Sequence, residues 1–442
     1  MTRRSRQKRF LIAAQMVARI YAGYKGVQAL AKVAGWDPVD TLLRRQHRRS
    51  AELIYTTATR MQGLLIKACQ FIGTRADVLP DEYIDVLSRL QDRVPPRPLG
   101  VIVGVIEEDL QRPLGSVFAE FDPAPLASAS LAQVHRARLR DGREVAVKVQ
   151  YPDIAELVAV DLANFRFFVN LLARLERTFD LRLIVREMSK YIPLELDFEH
   201  EAENARRIRT NLRHRTDIVV PEIVSAHTTK RVLVMEYLPG IKVTDVAALA
   251  AAGIDKQRIA SILTEVYCQQ ILIDGFFHAD PHPGNILVQP GPRLVLLDFG
   301  LAKDFPPGFS AGVVELTSAI LADDAPRVAA AFRALGFRTR NGDGDSLVAL
   351  GEAFLGRMAR EGRAYADRDL VDEINRDLPP VLRANPIVEA PSDLLLVVRV
   401  MGLLSGIGKQ LDSQVNPMAI LTPFVGGQRF ETGTKIGDRA IE

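Results

Sequence analysis

The chain has 442 residues, 48% hydrophobic and 25% charged, which suits two or more folded units with real cores and excludes wholesale disorder. A net charge of +3 carries no overall nucleic-acid signature. Two cysteines, Cys69 and Cys268, stand in apolar contexts without CxxC spacing and read as buried thiols in a reducing compartment, and the seven histidines form no HExxH pair for zinc.

In chain order, positive charge comes first. Arg3, Arg4, Arg6, Lys8, Arg9, Arg19, Lys25 and Lys32 all precede the first acidic residue, Asp37. FLIAAQMVARIYAGYKGVQALAKVAG predicts an amphipathic helix whose longest uncharged run, Phe10 to Ala18, is too short to span a bilayer. Such a helix lies on an anionic membrane surface, acts as a transit peptide, or packs on the core through one face. Helical pattern then runs to RVPPRP, where prolines mark a boundary near residue 100.

Residues 101–238 predict a smaller lobe with a short helix, a strand AQVHRARL, a hairpin turn at Asp141-Gly142 and a strand REVAVKVQYP alternating about Val145, Val147 and Val149. Lys148 sits in the middle of that strand. A long charged helical region follows, in which a helix can begin after Pro193. RVLVMEYL, Arg231 to Leu238, predicts a core strand. Residues 239–442 read as mostly helical, including LLLVVRVMGLLSGIG, a buried helix broken by Arg399.

Two loops interrupt that region and carry the chemistry. HADPHPGN spans His278 to Asn285, and LLDFG spans Leu296 to Gly300. An Asp, then an Asn, then a second Asp at this spacing, each piece ending an apolar run, is the order used by kinase-like phosphoryl-transfer sites. There the first Asp orients or deprotonates the nucleophile, while the Asn and second Asp hold Mg²⁺ against the ATP phosphates. By this pattern Asp280 is the catalytic residue, and Asn285 and Asp298 are the metal residues. Lys148, in VAVK, matches the strand lysine that binds the α- and β-phosphates. The competing readings are polar residues that only cap turns, and a solvated surface lysine. His278 reads as a hydrogen-bonding support of its loop, and His282 as a turn cap or a phosphate contact.

Further strings make the pattern specific. KACQFIGTRADVLPDEYIDVLSRLQDRVPP, PLASASLAQVHRA, ELDFEHEAENARR and HADPHPGN together resemble the UbiB family of atypical kinase-like proteins, from about Lys67 to the DFG and more weakly beyond. The resemblance implies an α+β, two-lobed kinase-like fold with an N-terminal helical extension over residues 1–100 and a mostly helical C-terminal lobe. It implies ATP and Mg²⁺ as cofactors, with ATP contacts at Ala127, Ser128, Ala129, Ser130 and Gln133 of an alanine-rich loop. RVLVMEYL resembles a hinge that meets adenine around Glu236 and Tyr237. Glu201 becomes the partner of Lys148, while Glu195 and Asp197 face Lys67 and Gln70 of the extension.

The family's K-x-G-Q glycine is Cys69 here, so the motif reads KACQ. No glycine occurs between Ser116 and Asp141, so the nucleotide loop lacks the φ > 0 freedom of a protein-kinase loop. No APE string follows DFG, and a long peptide-docking segment is not expected. Some relatives end in transmembrane helices, a feature this chain is expected to lack. The resemblance implies an ATPase or phosphotransferase supporting ubiquinone or other isoprenoid-lipid metabolism. It would be cytoplasmic or peripheral at the inner face of a membrane, with an isoprenoid or quinone-precursor lipid as partner. A small-molecule or protein kinase and a nucleotide- or lipid-binding pseudokinase scaffold stay open as alternatives.

Overall fold

The computed structural model describes residues 3–34, 37–61, 63–73, 80–87, 89–90, 95–175, 182–356, 380–382, 384–389 and 391–425. The chain divides into two compact units, Met1–Ala202 with Ile223–Tyr237, and Glu203–Glu222 with Leu238–Glu442.

The first unit opens with helices α1 (Arg3–Ala34), α2 (Asp37–Met61), α3 (Leu64–Gly73) and α4 (Asp81–Leu87), then α5 (Leu99–Leu110) and the single turn α6 (Leu114–Val117). Strands β1 (Phe118–Ser128), β2 (Ala132–Leu139) and β3 (Glu144–Gln150) follow, then α7 (Ile154–Leu175), α8 (Arg182–Glu195) and the start of α9 (Phe198–Asn211), which belongs to the second unit from Glu203 on. After β4 (Ile218–Val219), which belongs to the second unit, β5 (Val232–Glu236) completes an antiparallel sheet of order β1-β2-β3-β5. Gly142 closes the β2–β3 turn at φ +90°, a conformation an L side chain rarely adopts, and Asp141 Oδ1 accepts from Arg143 N.

The alternating valines of β3 face inward. Val145, Val147 and Val149 pack with Val232 and Val234 of β5, Ile102 and Ile106 of α5, and Ile154 and Val158 of α7. Each such side chain contributes about 1.5–3 kcal/mol when fully buried. Leu64 and Ala68 of α3 share this same core, so α3 packs with the sheet within the first unit. Helix α1 is anchored by Arg9, which donates Nε to Asp161 Oδ1 at 2.8 Å and Nη1 to Met61 O at 2.8 Å. Burial pushes the Asp161 carboxyl up even beside that arginine. Even so, no α1 side chain from Arg3 to Lys32 is fully buried.

Two local expectations differ from the structure. Strand β1 was not foreseen, because FAEFDPAPLAS holds two prolines and no alternation. It is an edge strand whose pairing with β2 shifts register around Pro125, which is where a sheet tolerates proline. Pro193 does not start a helix either. It sits in the last turn of α8, and α9 starts at Phe198 with Asp197 as its cap, Asp197 Oδ1 accepting from Glu199 N at 3.0 Å.

The second unit continues with β6 (Ile241–Lys242), α10 (Val246–Ala251), α11 (Lys256–Gln269), a π-helical turn Gln270–Asp274, and β7 (Phe276–His278). Then come β8 (Ile286–Gln289), β9 (Arg293–Leu296), β10 (Ala302–Asp304), α12 (Phe309–Leu321) and α13 (Ala325–Ala334). The remaining elements are β11 (Arg338–Thr339), α14 (Asp345–Gly351), β12 (Ile387–Glu389), α15 (Ser392–Gln410) and α16 (Pro417–Val425). Its main sheet has order β4-β9-β8-β6, and β10 pairs with β7. Asp245, Asp255 and Asp324 cap α10, α11 and α13. Gly240 meets β8 so closely that a Cβ there would lie 2.8 Å from Leu287 Cβ. No helix among the described residues is long and apolar enough to cross a membrane.

Candidate active site

In the first unit, strand β3 sends its valines into the core and Lys148 to the other face. Lys148 Nζ lies 2.8 and 2.9 Å from the two carboxylate oxygens of Glu201, on the first turn of α9, and 5.1 Å from the centre of the Phe198 ring. The Lys148 side chain is 14% exposed and that of Glu201 only 2%, so this is a largely desolvated ion pair. The other acidic residues divide their work. Glu195, at the end of α8, pairs with Lys67 of α3 at 3.1 Å. Asp197 spends one carboxylate oxygen on capping α9. The side chain of Gln70 lies outside the described residues.

Cys69 is packed in the α2–α3–α4 core with Ala51, Ala58, Ile66, Tyr83, Val86 and Leu87. Burial pushes its thiol up to about 12, and that of Cys268 likewise to about 12, so both stay protonated and unreactive.

The alanine-rich stretch forms the β1–β2 connection. Ala127 and Ser128 end β1, and Ala129 N donates to Ala132 O at 2.8 Å across the turn. Tyr151, just after β3, straps it down: its hydroxyl donates to Ala129 O at 3.1 Å and lies 2.8 Å from Ser128 Oγ, while its N–H donates to Leu131 O. Ser130 is 3% exposed and its hydroxyl has no hydrogen-bond partner among the described residues. Gln133 differs from the expectation that it meets the nucleotide. It is 1% exposed, its Oε1 accepts from Arg97 N at 2.9 Å and its Nε2 meets His135 Nε2 at 2.9 Å, so its amide is consumed inside the fold. At the other edge of β3, Tyr237 N donates to Glu144 O and the Arg136 guanidinium lies 4.6 Å from the Tyr237 ring centre; Glu236 pairs with Val145 and is exposed.

In the second unit, the β8–β9 hairpin brings the backbones of Asn285 and Asp298, the two residues expected to hold metal, to the same end. Asn285 immediately precedes β8, Asp298 follows β9, and Leu297 N donates to Asn285 O at 2.8 Å. Asp298 has φ +59°, a strained conformation for a residue with a side chain, though Asp tolerates it better than most. Its carbonyl accepts from His278 Nε2 at 2.6 Å, and the next carbonyl, Phe299 O, accepts from Asn204 Nδ2 at 2.9 Å. Gly300 N donates to Asp298 Oδ1 at 3.3 Å. Asp280 is half-buried at the start of the loop, and its carbonyl accepts from His282 N at 2.7 Å. His282 Nδ1 in turn accepts from Gly284 N at 3.1 Å and caps the 3₁₀ turn leading to Asn285.

His278 is fully buried, and burial pushes its imidazole below the usual value, so it is neutral. With Nε2–H committed to Asp298 O, its Nδ1 accepts from the Tyr267 hydroxyl at 2.8 Å; burial holds that phenol well above its usual range, so it stays protonated and donates. Gln270 Oε1 accepts from His278 N at 2.8 Å. Phe277, Phe305 and Phe309 stack with centres 4.5 and 4.3 Å apart beneath the loop.

The buttressing residues Tyr151, Asn204 and Tyr267 were not foreseen. Asn204 had a signal, lying three residues after Glu201 on one helix. Among the described residues no group of three or more His, Cys, Asp or Glu could hold a metal ion. Asn285 and Asp298 each carry a side-chain oxygen of the hard type that suits Mg²⁺.

A family model for the ABC1 atypical kinase-like domain matches residues 89–332. The chain is 34% identical over 398 residues to Protein ACTIVITY OF BC1 COMPLEX KINASE 8, chloroplastic, of Arabidopsis thaliana, covering 83% of this chain and 52% of that protein. It is 32% identical over 403 residues to AarF domain-containing protein kinase 1 of Xenopus tropicalis, covering 88% and 75%. The chain thus spans about half the length of the Arabidopsis relative. The solved complex of Rv3197 with erythromycin, from Mycobacterium tuberculosis, has the same fold at a TM-score of 0.64 and 24% identity, covering 86% of this chain and 97% of that one. With the family model and these relatives in agreement, the chain belongs to the ABC1 atypical kinase-like family, the UbiB group.

Proposed function

We propose that this protein binds ATP with Mg²⁺ and either hydrolyses it or passes its γ-phosphoryl group to an acceptor hydroxyl, in support of isoprenoid-lipid metabolism at a membrane surface. The observation that carries this reading is the buried pair of Lys148 and Glu201. An ammonium in mid-strand, held by a carboxylate that is 2% exposed, costs desolvation that packing alone would avoid. Such a pair has a use if Lys148 is fixed to neutralise phosphate charge. The orphan hydroxyl of Ser130, buried in a turn with no glycine, fits a phosphate oxygen as its acceptor. Asn285 and Asp298 hold Mg²⁺, which when bound draws negative charge from the phosphate oxygens. Asp280 accepts or orients the proton of the attacking water or acceptor hydroxyl. Catalysis rests on positioning and electrostatics rather than on a covalent intermediate.

The lipid and ubiquinone side of the proposal rests on the family resemblance, with the basic α1 as its local support. The test is ATP turnover with Mg²⁺, with and without anionic liposomes, for wild type and Asp298→Asn. Turnover that rises on liposomes and is lost in the variant supports a membrane-coupled ATPase. Nucleotide binding without turnover above the variant replaces the enzyme with a scaffold.

A further inference from the structure

Protein interiors hold few voids larger than a water molecule. In the helical layer of the first unit, by contrast, a partly open cavity of about 630 Å³ lies between α1, α2, α3, α4 and α7. Its walls are apolar, with Met16 and Ile20 from α1, Ala68 from α3, and Phe165, Phe168 and Val169 from α7. The size falls within the roughly 300–1,000 Å³ of small-molecule sites. Helix α1 turns its apolar face to this space, which is why none of its side chains from Arg3 to Lys32 is fully buried.

Several polar groups lining the cavity have partners of their own. The hydroxyls of Tyr24 and Tyr83 lie 2.8 Å apart, His47 Nδ1 is 3.3 Å from Glu82, Asp161 is bound by Arg9, and Lys25, on the exposed side of α1, donates to Gln28 at 3.1 Å. Asn164 of α7 is different. It lines the cavity, and its Nδ2 is buried with no hydrogen-bond partner among the described residues. An amide donor left unpaired in an apolar wall fits one acceptor oxygen on a ligand.

One wall also reaches the surface. Phe168 lies 5.2 Å from the ring of Phe10 and 5.2 Å from that of Phe167; these two, with Leu11 and Leu171, are exposed. The basic first turns of α1, Arg3, Arg4 and Lys8, stand beside Phe10 in sequence. An exposed apolar patch leading to an apolar chamber, with cations at hand, suits a ligand drawn from an anionic bilayer.

We propose that this cavity binds one uncharged, single-chain lipid, its hydrocarbon enclosed by α1, α3 and α7 and its head-group oxygen accepting a hydrogen bond from Asn164 Nδ2. The lipid of the proposed function thereby gains a place in the fold. The inference rests on that reading for its biological role alone, and its test reads binding without nucleotide, so failure here leaves the Mg-ATP reading standing.

The experiment displaces Nile red from the full chain with oleyl alcohol or with oleate, two probes that share a chain and differ in head-group charge, and native mass spectrometry counts the bound lipid. One oleyl alcohol per chain, bound more tightly than oleate, is expected. Asn164→Leu should weaken oleyl alcohol about three- to tenfold, the range of one neutral hydrogen bond. Ala13→Trp, which fills the chamber from α1, should abolish binding without lowering the melting temperature. Unsaturable uptake, tighter binding of oleate, or unchanged affinity in Asn164→Leu would overturn the proposal. So would retained binding in folded Ala13→Trp, and if that variant does not fold, Asn164→Leu decides the matter.

Discussion

Replacing Glu201 by Gln isolates the cost of the buried lysine, because it keeps the shape of the side chain and removes only its charge. Deleting one partner of a buried pair costs about 3–5 kcal/mol, since the other charge stays buried without compensation. Lys148 keeps 14% exposure and the face of Phe198 at 5.1 Å, which places the expected loss at the lower end, about 3 kcal/mol. For a unit of this size that corresponds to a fall in melting temperature of roughly 6–12 °C. Replacing both partners, as Lys148→Met with Glu201→Leu, should return stability to within about 1 kcal/mol of wild type while leaving ATP binding lost. The assay is thermal and urea unfolding without nucleotide, followed by ATP titration. If Glu201→Gln loses less than about 1 kcal/mol, or the double variant is no more stable than the single one, the pair is not a desolvated device kept for ligand binding, and the reasoning is refuted.

Other outcomes follow from the second unit. Burial pushes the Asp274 carboxyl up to about 6, and its Oδ2 has no hydrogen-bond partner. Because its folded value lies above the unfolded one of 3.8, its stabilising contribution is fully present only below that pH and is lost as pH rises through 6. Asp274→Asn should therefore raise stability by about 1–2 kcal/mol at pH 8 and change little at pH 4, with melting curves across that range as the check. Tyr267→Phe leaves His278 Nδ1 buried and unsatisfied, so a loss of about 1–3 kcal/mol and weaker Mg-ATP binding are expected in denaturation and calorimetry. Gly240→Ala forces a Cβ to 2.8 Å from Leu287 and 3.2 Å from Val288 O, and should cost about 1–3 kcal/mol by urea unfolding.

The parts of this molecule that could be read from sequence are those where local chemistry and tertiary structure agree. Asp141-Gly142 and the alternating valines announced the β2–β3 hairpin, because a φ > 0 turn and a half-buried strand each leave a local pattern. The two loops of the candidate site were visible because each follows an apolar strand and carries Asp and Gly. Strand β1 was hidden, since an edge strand needs no alternation and its prolines read as loop. Gln133 was misplaced for an instructive reason. It shares the inward face of β2 with His135, Ala137 and Leu139, so the period of two already pointed it inside, but two polar residues disguised that face. The buttresses Tyr267 and Tyr151 act through long-range hydrogen bonds that no local window contains.

The strap that Tyr151 lays across the alanine-rich turn has a kinetic consequence. A glycine-rich loop can flap, and its opening can meter how fast nucleotide enters and leaves. Here the turn is held by Tyr151 through bonds to Ser128, Ala129 and Leu131, on a backbone without glycine. Opening it would mean breaking those bonds together with the Ala129 to Ala132 link. It is built as a fixed shelf rather than a gate, so under the proposed ATP reading residence time there would be set by the strength of the contacts made, not by the dynamics of a lid.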